Sequence, residues 1–178
     1  MLSDGYTPYI SHVFRVTWIL RDHFNVDDHD LIIATLLHDV IEDTPATQNE
    51  IAKRFGSKVA GYVKALTKDE RLPKKHREKE YLDKLVQAPE LVQIAKLADI
   101  FDNLSARIGT LKLRRTLENA RRLTAAFSET LVSAKGRRAL YSVQQLISEI
   151  ESTHPPQAGT HRSTNGKGRR RAENLQGK

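Results

Sequence analysis

Three acids and an imidazole interrupt a stretch that otherwise looks like the buried face of a helix. The segment "LLHDVIEDT" follows the apolar run "LIIATLL" and contains His38, Asp39, Glu42 and Asp43. In one continuous helix His38 would share a face with Glu42, and Asp39 with Asp43. Burying such groups costs free energy unless something pairs with them. The partners are either structural ion pairs, for which this helix supplies few cations, or a divalent metal ion that neutralises the carboxylates.

Two further segments contain polar residues of the same kind. His12 lies in the middle of a mostly apolar helix, where a satisfied core histidine is the ordinary explanation. Asp99 lies in "IAKLADIFDNL", with Asn103 one turn later. Three polar intrusions into three core-like helices are better explained by one shared site than by three separate compromises. The sequence therefore predicts that His12, His38, Asp39 and Asp99 converge on a metal ion.

The elements that must position these residues are all predicted to be helices. Apolar residues recur at steps of three and four, and no stretch alternates as a strand does. The first helix should bury Ile10, Val13, Val16 (or Phe14), Ile19 and Leu20, and we expect Tyr9 and Trp18 to pack in the core rather than stack on a base. The predicted helices are "YISHVFRVTWILRDH", "DDHDLIIATLLHDVIED", a helix opened by a Thr47–Glu50 capping box and closed by Gly56, "KVAGYVKALTK", "KKHREKEYLDKLVQ", "PELVQIAKLADIFDNLSARI", and two segments around 112–134 and 137–151.

The charge is unevenly distributed along the chain. The net charge is +7, yet the segment from Ser152 onward alone contains six Lys or Arg and a single acid. We expect a folded domain over 1–151 and a disordered basic tail over 152–178, because the tail has too few apolar residues to offset its ordering entropy. The nearly neutral domain argues against a basic groove. Nucleic acid is therefore an unlikely partner except through weak contacts of the tail.

Several classes of protein are excluded by composition. The chain has no cysteine, which excludes disulfides, zinc–cysteine sites and thiol catalysis. No apolar stretch approaches the roughly 18 residues that span a bilayer, and the first residues lack the pattern of a signal peptide. We expect a cytoplasmic protein without a membrane partner.

The order His, His-Asp, Asp resembles the signature of HD-domain metal-dependent phosphohydrolases. The segments "TPYISH", "LLHDVIEDT", "LTKDERLP" and "KLADIFDN" are similar to the hydrolase domain of the RelA/SpoT family, and most similar to its small stand-alone alarmone hydrolases. The resemblance runs from about Thr7 to Asn103. It implies an all-α HD-domain helical bundle.

The resemblance also implies a reaction and a role for each matching residue. Such enzymes remove the 3′-pyrophosphate of guanosine tetra- or pentaphosphate, giving GDP or GTP plus pyrophosphate. It implies one metal ion, usually manganese, held by the residues matching His12, His38, Asp39 and Asp99. The residues matching Glu42 and Asp43 position and deprotonate the attacking water, and Asn103 matches an asparagine that contacts the sugar. We further expect Lys68, Arg71 and Lys96 to bind substrate phosphates.

Two departures from the family pattern bear on substrate recognition. The basic turn that usually precedes the "PYI" segment is missing, with Ser3 and Asp4 near its place, so either the start codon is misplaced or the base is held differently. Ser105 and Ala106 replace an Arg-Thr pair that often follows the asparagine. Two alternatives therefore stay open: hydrolysis of another phosphorylated nucleotide or dinucleotide such as NADPH, and a non-catalytic nucleotide sensor. Intact Glu42 and Asp43 argue against the sensor.

Overall fold

The computed structural model describes residues 8–154, and within that range every regular element is helical. The all-α prediction is therefore confirmed. The elements are α1 (Ile10–Trp18), a π-helical turn (Ile19–His23), α2 (His29–Leu36), α3 (Val40–Asp43), α4 (Gln48–Phe55), α5 (Ser57–Leu66), α6 (Lys74–Gln87), α7 (Glu90–Ser105), α8 (Leu113–Phe127) and α9 (Ala134–Thr153).

The most buried helix is α7, which packs against α1, α8 and α9. Around it lies the main core, which includes Phe24, Leu85, Leu97 and Phe127. A smaller cluster joins α2, α4 and α5 through residues such as Ile51 and Val63. Because α7 is buried on nearly all sides, a charged residue on it must find a partner inside the protein.

The helix predicted over "DDHDLIIATLLHDVIED" is broken, so that prediction is wrong in one respect. It ends at Leu36 and resumes at Val40, with His38 and Asp39 in the turn between α2 and α3. The His38 Nδ1 atom lies 2.7 Å from the carbonyl oxygen of Thr35. That carbonyl is the one a continuous helix would offer to the backbone N–H of Asp39. The side chain therefore competes with the backbone and tightens the turn.

Helix ends follow their local sequence signals. The Thr47–Glu50 capping box is present, which confirms that prediction. Gly56 has φ +89° where α4 ends, a conformation that favours glycine. The helix predicted around 112–134 is shorter in the structure, Leu113–Phe127, and the last helix is longer than predicted, Ala134–Thr153. A loop follows Phe127, and Ser133 at its end caps the last helix.

The apolar face of α1 differs from the predicted one. Val13, Val16 and the following Ile19 and Leu20 are buried as expected. By contrast, Ile10 is 56 %, Phe14 61 % and Trp18 63 % exposed, so the prediction that Ile10 and Trp18 pack in the core is wrong. Residues four apart share a helix face. These three therefore form one exposed stripe, while the opposite face reaches the core.

Within residues 8–154 no helix is both long enough and apolar enough to cross a membrane. The predicted boundary between domain and tail falls inside α9, which continues to Thr153. The rest of the predicted tail, from residue 155, lies outside the described residues.

Candidate active site

Three of the four predicted metal ligands come together at one point. His12 on α1, His38 in the turn after α2 and Asp99 on α7 each offer a donor atom, and these atoms all lie within 4.8 Å of one another. All three residues are buried. They are distant in sequence and meet because α1 and α2 both pack on the same part of α7.

The ring of His38 is fixed in one tautomer. A carbonyl oxygen can only accept, so the contact to Thr35 requires a proton on Nδ1 and leaves a lone pair on Nε2. Burial lowers the pKa of His38, which keeps the ring neutral. The buried Nε2 atom has no hydrogen-bond partner among the described residues, although it lies 3.0 Å from Oδ2 of Asp39. A neutral imidazole with a free lone pair is what a metal ion requires.

The ring of His12 is held by a residue that the sequence reasoning missed. Its Nδ1 lies 2.6 Å from Oδ2 of Asp102, while its Nε2 lies 3.3 Å from Oδ1 of Asp99. Burial by itself would lower the pKa of His12, but the hydrogen bonds to Asp102 and Asp99 outweigh it and raise the pKa to about 9. In the metal-free protein the ring is therefore protonated at neutral pH.

Asp39, the fourth predicted ligand, lies beside this group. The hydroxyl of Tyr9 donates to Oδ2 of Asp39, and the Tyr9 ring lies 5.5 Å from the His12 ring. Burial, reinforced by the charge of Asp99, raises the pKa of Asp39 to about 7. Tyr9 is thus neither a core residue nor free for stacking, since its hydroxyl is committed to the site.

Asp99 is held ionised by its neighbours. Its Oδ2 accepts from Nζ of Lys96 at 2.6 Å, and Nδ2 of Asn103 donates to its Oδ1 at 2.5 Å. Burial would raise the pKa of Asp99, but Lys96 and the hydrogen bond from His12 hold it well below its usual value. Lys96 and Asn103 are both predicted to contact the substrate. In the structure they contact Asp99, one of the candidate metal ligands.

These residues fit a divalent cation. Two imidazoles and an ionised carboxylate form a mixed donor set that suits manganese, iron or zinc. The buried Nε2 of His38, which has no hydrogen-bond partner among the described residues, is the atom that such an ion would satisfy. The chemistry of the donor atoms therefore supports a metal site, and it is compatible with more than one divalent metal ion.

The predicted catalytic pair is divided between the pocket and the surface. Glu42 lines the pocket beside Asp39 and Asp99, and its Oε1 accepts the backbone N–H of Lys68 at 2.6 Å. Asp43 is exposed and is not among the lining residues, although its charge acts on Asp39. The i, i+4 stacking expected from a continuous helix does not apply, because the helix is broken at His38.

A polar pocket of about 720 Å³ lies beside the donors, and Asp39, Glu42 and Asp99 are among the residues that line it. Its cations come from three helices (α6, α7 and α8) and from the loops after α5 and after α7, which corrects the interpretation that the domain has no basic groove: they are Lys68, Lys74, Lys96, Arg107, Lys112, Arg115 and Arg122. The nearly neutral net charge of the domain does not reveal these cations. Residues 107–138 contain nine basic and two acidic side chains, whereas the rest of the domain has a net negative charge. Such a lining favours a ligand with several negative charges.

Three lysines surround one aromatic ring at the pocket. The Nζ atoms of Lys68, Lys84 and Lys96 lie 5.3–5.4 Å from the centroid of the Tyr81 ring. The Tyr81 hydroxyl donates to the carbonyl of Leu66, and burial raises the pKa of Tyr81 to about 12. The ring face therefore supports two pocket lysines through cation–π attraction.

Arg71 does not join the other predicted phosphate ligands. Its side chain is 88 % exposed and is paired with Asp69 in the same loop. It is not among the residues that line the pocket. Arg115 and Arg122 on α8 line the pocket instead. Their signal in the sequence is the two Arg-Arg pairs of "LKLRRTLENARR".

The chain is similar in sequence to HD-domain proteins and to hydrolases of the RelA/SpoT type. Residues 2–142 match the sequence model of the HD domain. Over 98 residues the chain is 38 % identical to the guanosine-3′,5′-bis(diphosphate) 3′-pyrophosphohydrolase MESH1 of Drosophila melanogaster, covering 55 % of each chain. It is 35 % identical over 153 residues to the bifunctional (p)ppGpp synthase/hydrolase SpoT of Escherichia coli K12, covering 75 % of this chain and 21 % of that protein. The chain spans about half the length of the MESH1 relatives.

Two solved structures share the fold. One is that of a metazoan ortholog of SpoT, reported to hydrolyse ppGpp, with a TM-score of 0.68 and 28 % identity over 85 % of this chain and 84 % of that one. The other is lmo0812 from Listeria monocytogenes EGD-e, with a TM-score of 0.69 and 23 % identity over 82 % and 96 % of the two chains. The second likeness concerns the fold alone. Together with the sequence match they confirm the resemblance seen in the motifs.

Proposed function

The chain belongs to the HD domain family, and from this premise we propose that it is a metal-dependent hydrolase of guanosine tetra- and pentaphosphate. The observation that carries the proposal is the meeting of His12, His38 and Asp99, the last of which also lines a pocket rich in cations. Two relatives with matching motifs are named for this activity. Water would attack the phosphorus atom that is bonded to the ribose 3′-oxygen, and the bond between that phosphorus and the 3′-oxygen would break. The 3′-oxygen would take up a proton, and the products would be GDP or GTP and pyrophosphate.

We assign the metal to His12, His38, Asp99 and Asp39, with manganese as the proposed ion. When bound, a divalent cation acidifies a water molecule and offsets negative charge on phosphoryl oxygens. The protein's part is to hold the two imidazoles with Nε2 inward and to keep Asp99 ionised through Lys96. Burial, reinforced by the charge of Asp99, raises the pKa of Asp39 to about 7, and a bound cation would favour the ionised form.

Glu42 is the proposed proton acceptor. It lines the pocket next to Asp39, and the hydrogen bond from the Lys68 backbone fixes one of its oxygens while leaving the other to face a substrate water. Asp43 lies at the end of the same short helix and is exposed, so we assign it a supporting electrostatic role. A positioned carboxylate of this kind contributes typically about 10²–10⁴-fold to a rate.

The remaining cations of the pocket would bind the phosphates. Lys68 in the loop after α5 and Arg122 on α8 lie close together, since both pair with Glu78, and Arg115 lies on the same helix as Arg122. A nucleotide with phosphate groups at both ends of its ribose carries several negative charges, which such a group of cations can bind. Guanidinium groups suit this role because they bind phosphate oxygens in pairs. Asn103 lines the same pocket and is assigned to the sugar.

A substrate panel tests the proposal. The purified protein, freed of metal with a chelator and reloaded with manganese, is incubated with guanosine tetraphosphate, guanosine pentaphosphate, NADPH and GDP. Release of pyrophosphate is measured separately from release of orthophosphate. We expect manganese-dependent pyrophosphate from the first two only. Orthophosphate from NADPH would instead favour the dinucleotide alternative, and tight binding without products would favour a sensor.

A further inference from the structure

A buried carboxylate lies behind one of the two imidazoles of the site. Asp102 is 3 % exposed, and its Oδ2 lies 2.6 Å from Nδ1 of His12, on the side of the ring away from Asp99. Asp102 also accepts from Arg15, whose Nε lies 2.6 Å from Oδ1 and whose second guanidinium nitrogen lies 3.0 Å from Oδ2. Every oxygen of this carboxylate therefore has a charged or polar partner.

This contact determines which nitrogen of His12 faces the site. An ionised carboxylate only accepts, so it requires a proton on Nδ1 and turns Nε2 toward Asp99 and His38. Burial would raise the pKa of Asp102, but the hydrogen bonds from His12 and Arg15 lower it, so the carboxylate is ionised at neutral pH. The His38 ring is fixed in the same sense by the neutral carbonyl of Thr35. The two rings are thus oriented by different kinds of acceptor.

The arrangement has a regular basis in the two helices. On α1, Arg15 follows His12 by one turn, and on α7, Asp102 follows Asp99 by one turn. Residues at this spacing share a helix face. Each helix therefore contributes one candidate ligand and, one turn later, one member of the supporting ion pair. Arg15 also donates to Ser11 at 3.3 Å, which ties its guanidinium to α1.

We propose that Asp102 is a positioning residue that locks the His12 ring for metal binding, and that Arg15 holds Asp102 in place. The inference rests on the proposed function only in taking the site to bind a divalent cation. It concerns neither the substrate nor the proton acceptor. Removing such a partner behind a ligating histidine typically lowers metal affinity by about 10–100-fold.

The first experiment measures manganese affinity by titration calorimetry on chelator-treated protein. Asp102→Ala should raise the Kd for manganese by about 10–100-fold. Asp102→Asn should raise it less, because the amide oxygen can still accept from Nδ1. Asp30→Ala is the matched control, since Asp30 is also paired with a basic residue, Lys58, but far from the site. Arg15→Met should give an intermediate loss by freeing the carboxylate to move.

The second experiment uses the zinc-loaded protein and nitrogen-15 NMR of the histidine rings. In the wild type we expect zinc on Nε2 of His12 and a slowly exchanging proton on Nδ1. Asp102→Ala should lose that proton signal, whereas the corresponding signal of His38 should stay. A residue that only stabilised the fold would change neither ring selectively. Circular dichroism shows whether the alanine variant folds. If it does not fold, the manganese affinity and the His12 signal of Asp102→Asn and Arg15→Met test the inference instead.

The outcomes separate this inference from the proposed function. Wild-type manganese affinity and an unchanged His12 signal in Asp102→Ala would overturn the inference. If the variants behave as expected but the wild type releases no pyrophosphate from guanosine alarmones, the proposed function fails and the role of Asp102 stands.

Discussion

The backbone N–H of Lys68 donates a 2.6 Å hydrogen bond to Oε1 of Glu42. It joins the short helix after the His-Asp turn to the loop after α5, two segments far apart in the chain. Glu42 is thereby held at the pocket edge by a backbone group, which no substitution at position 68 except proline would remove. The orientation of the proposed proton acceptor and the position of a pocket lysine are fixed together.

Glu42→Gln should lower turnover by about 10²–10⁴, the usual contribution of a positioned acid–base group. The amide keeps the shape of the side chain and can still accept from Lys68, but it cannot take a proton. Manganese affinity should change little, since Glu42 is not among the assigned ligands. Turnover is measured as pyrophosphate release, and bound metal is measured on the same sample.

Asp43→Asn is the matched variant for Glu42. Because Asp43 is exposed and outside the pocket lining, its loss should cost less than that of Glu42. Equal losses would show that the two carboxylates act as a unit. A Glu42→Gln protein with wild-type turnover would remove Glu42 as the proton acceptor.

Arg115→Ala should raise KM for the alarmone by roughly 10-fold, the value of one charge-assisted contact. Arg115 lines the pocket on α8, and the substrate carries several negative charges. Arg71→Ala should leave KM near the wild-type value, since that side chain is 88 % exposed and paired with Asp69. KM is measured by steady-state kinetics on both variants. A larger rise in KM for Arg71→Ala than for Arg115→Ala would show that the phosphates bind at the loop before α6.

Tyr81→Leu should raise KM by about 3- to 10-fold, because cation–π attraction to partly buried lysines is worth about 0.5–2 kcal/mol. Lys68 and Lys96 lose the ring face that supports them. Tyr81→Phe is the control: it keeps the ring and loses only the hydrogen bond to the Leu66 carbonyl. It should lower the melting temperature but not raise KM. An equal rise in KM for both variants would mean that the hydroxyl matters and the ring does not, and a wild-type KM for Tyr81→Leu would contradict the role of the ring.

The metal-free protein should lose stability as the pH rises from 6.5 to 9. The pKa of His12 is raised from 6.5 to about 9 in the folded protein, where Asp102 and Asp99 outweigh burial. The stabilisation from this proton is fully present below pH 6.5 and disappears as the pH passes 9. Asp39, whose pKa burial raises to about 7, adds a loss of the same sign up to that pH. His38 has a lowered pKa and so acts only below this range.

Urea unfolding at several pH values, with chelator and with manganese, measures this dependence. The manganese-loaded protein should show a flatter profile, because the ion takes the place of the proton between the ligands. His12→Asn should flatten the profile of the metal-free protein. Stability that stays constant or rises between pH 6.5 and 9 in chelator would contradict the assigned protonation of His12.

Local sequence rules determined the helical class and several element ends. The three- and four-residue spacing of apolar side chains predicted helices throughout, and the Thr47–Glu50 box and Gly56 mark ends that depend only on nearby residues. The rules failed where a side chain competed with the backbone. His38 takes the Thr35 carbonyl and breaks a helix whose apolar pattern was continuous. They also failed on α1, where periodicity could not tell which of two faces would meet α7.

The sequence by itself determined the ligand types, because His12, His38 and Asp99 are polar residues in apolar helices that only a shared partner explains. Tertiary structure decided everything that depends on distance across the fold. The contact of Asp102 with His12 joins residues far apart in the chain, and nothing in the local pattern separates Asp102 from a solvated acid. Likewise, the cations of α8 and those near α6 form one pocket only because α6 and α8 pack together. Charge counted along the chain averages over such contacts, whereas the electrostatic potential in a pocket depends on which charges face each other in space.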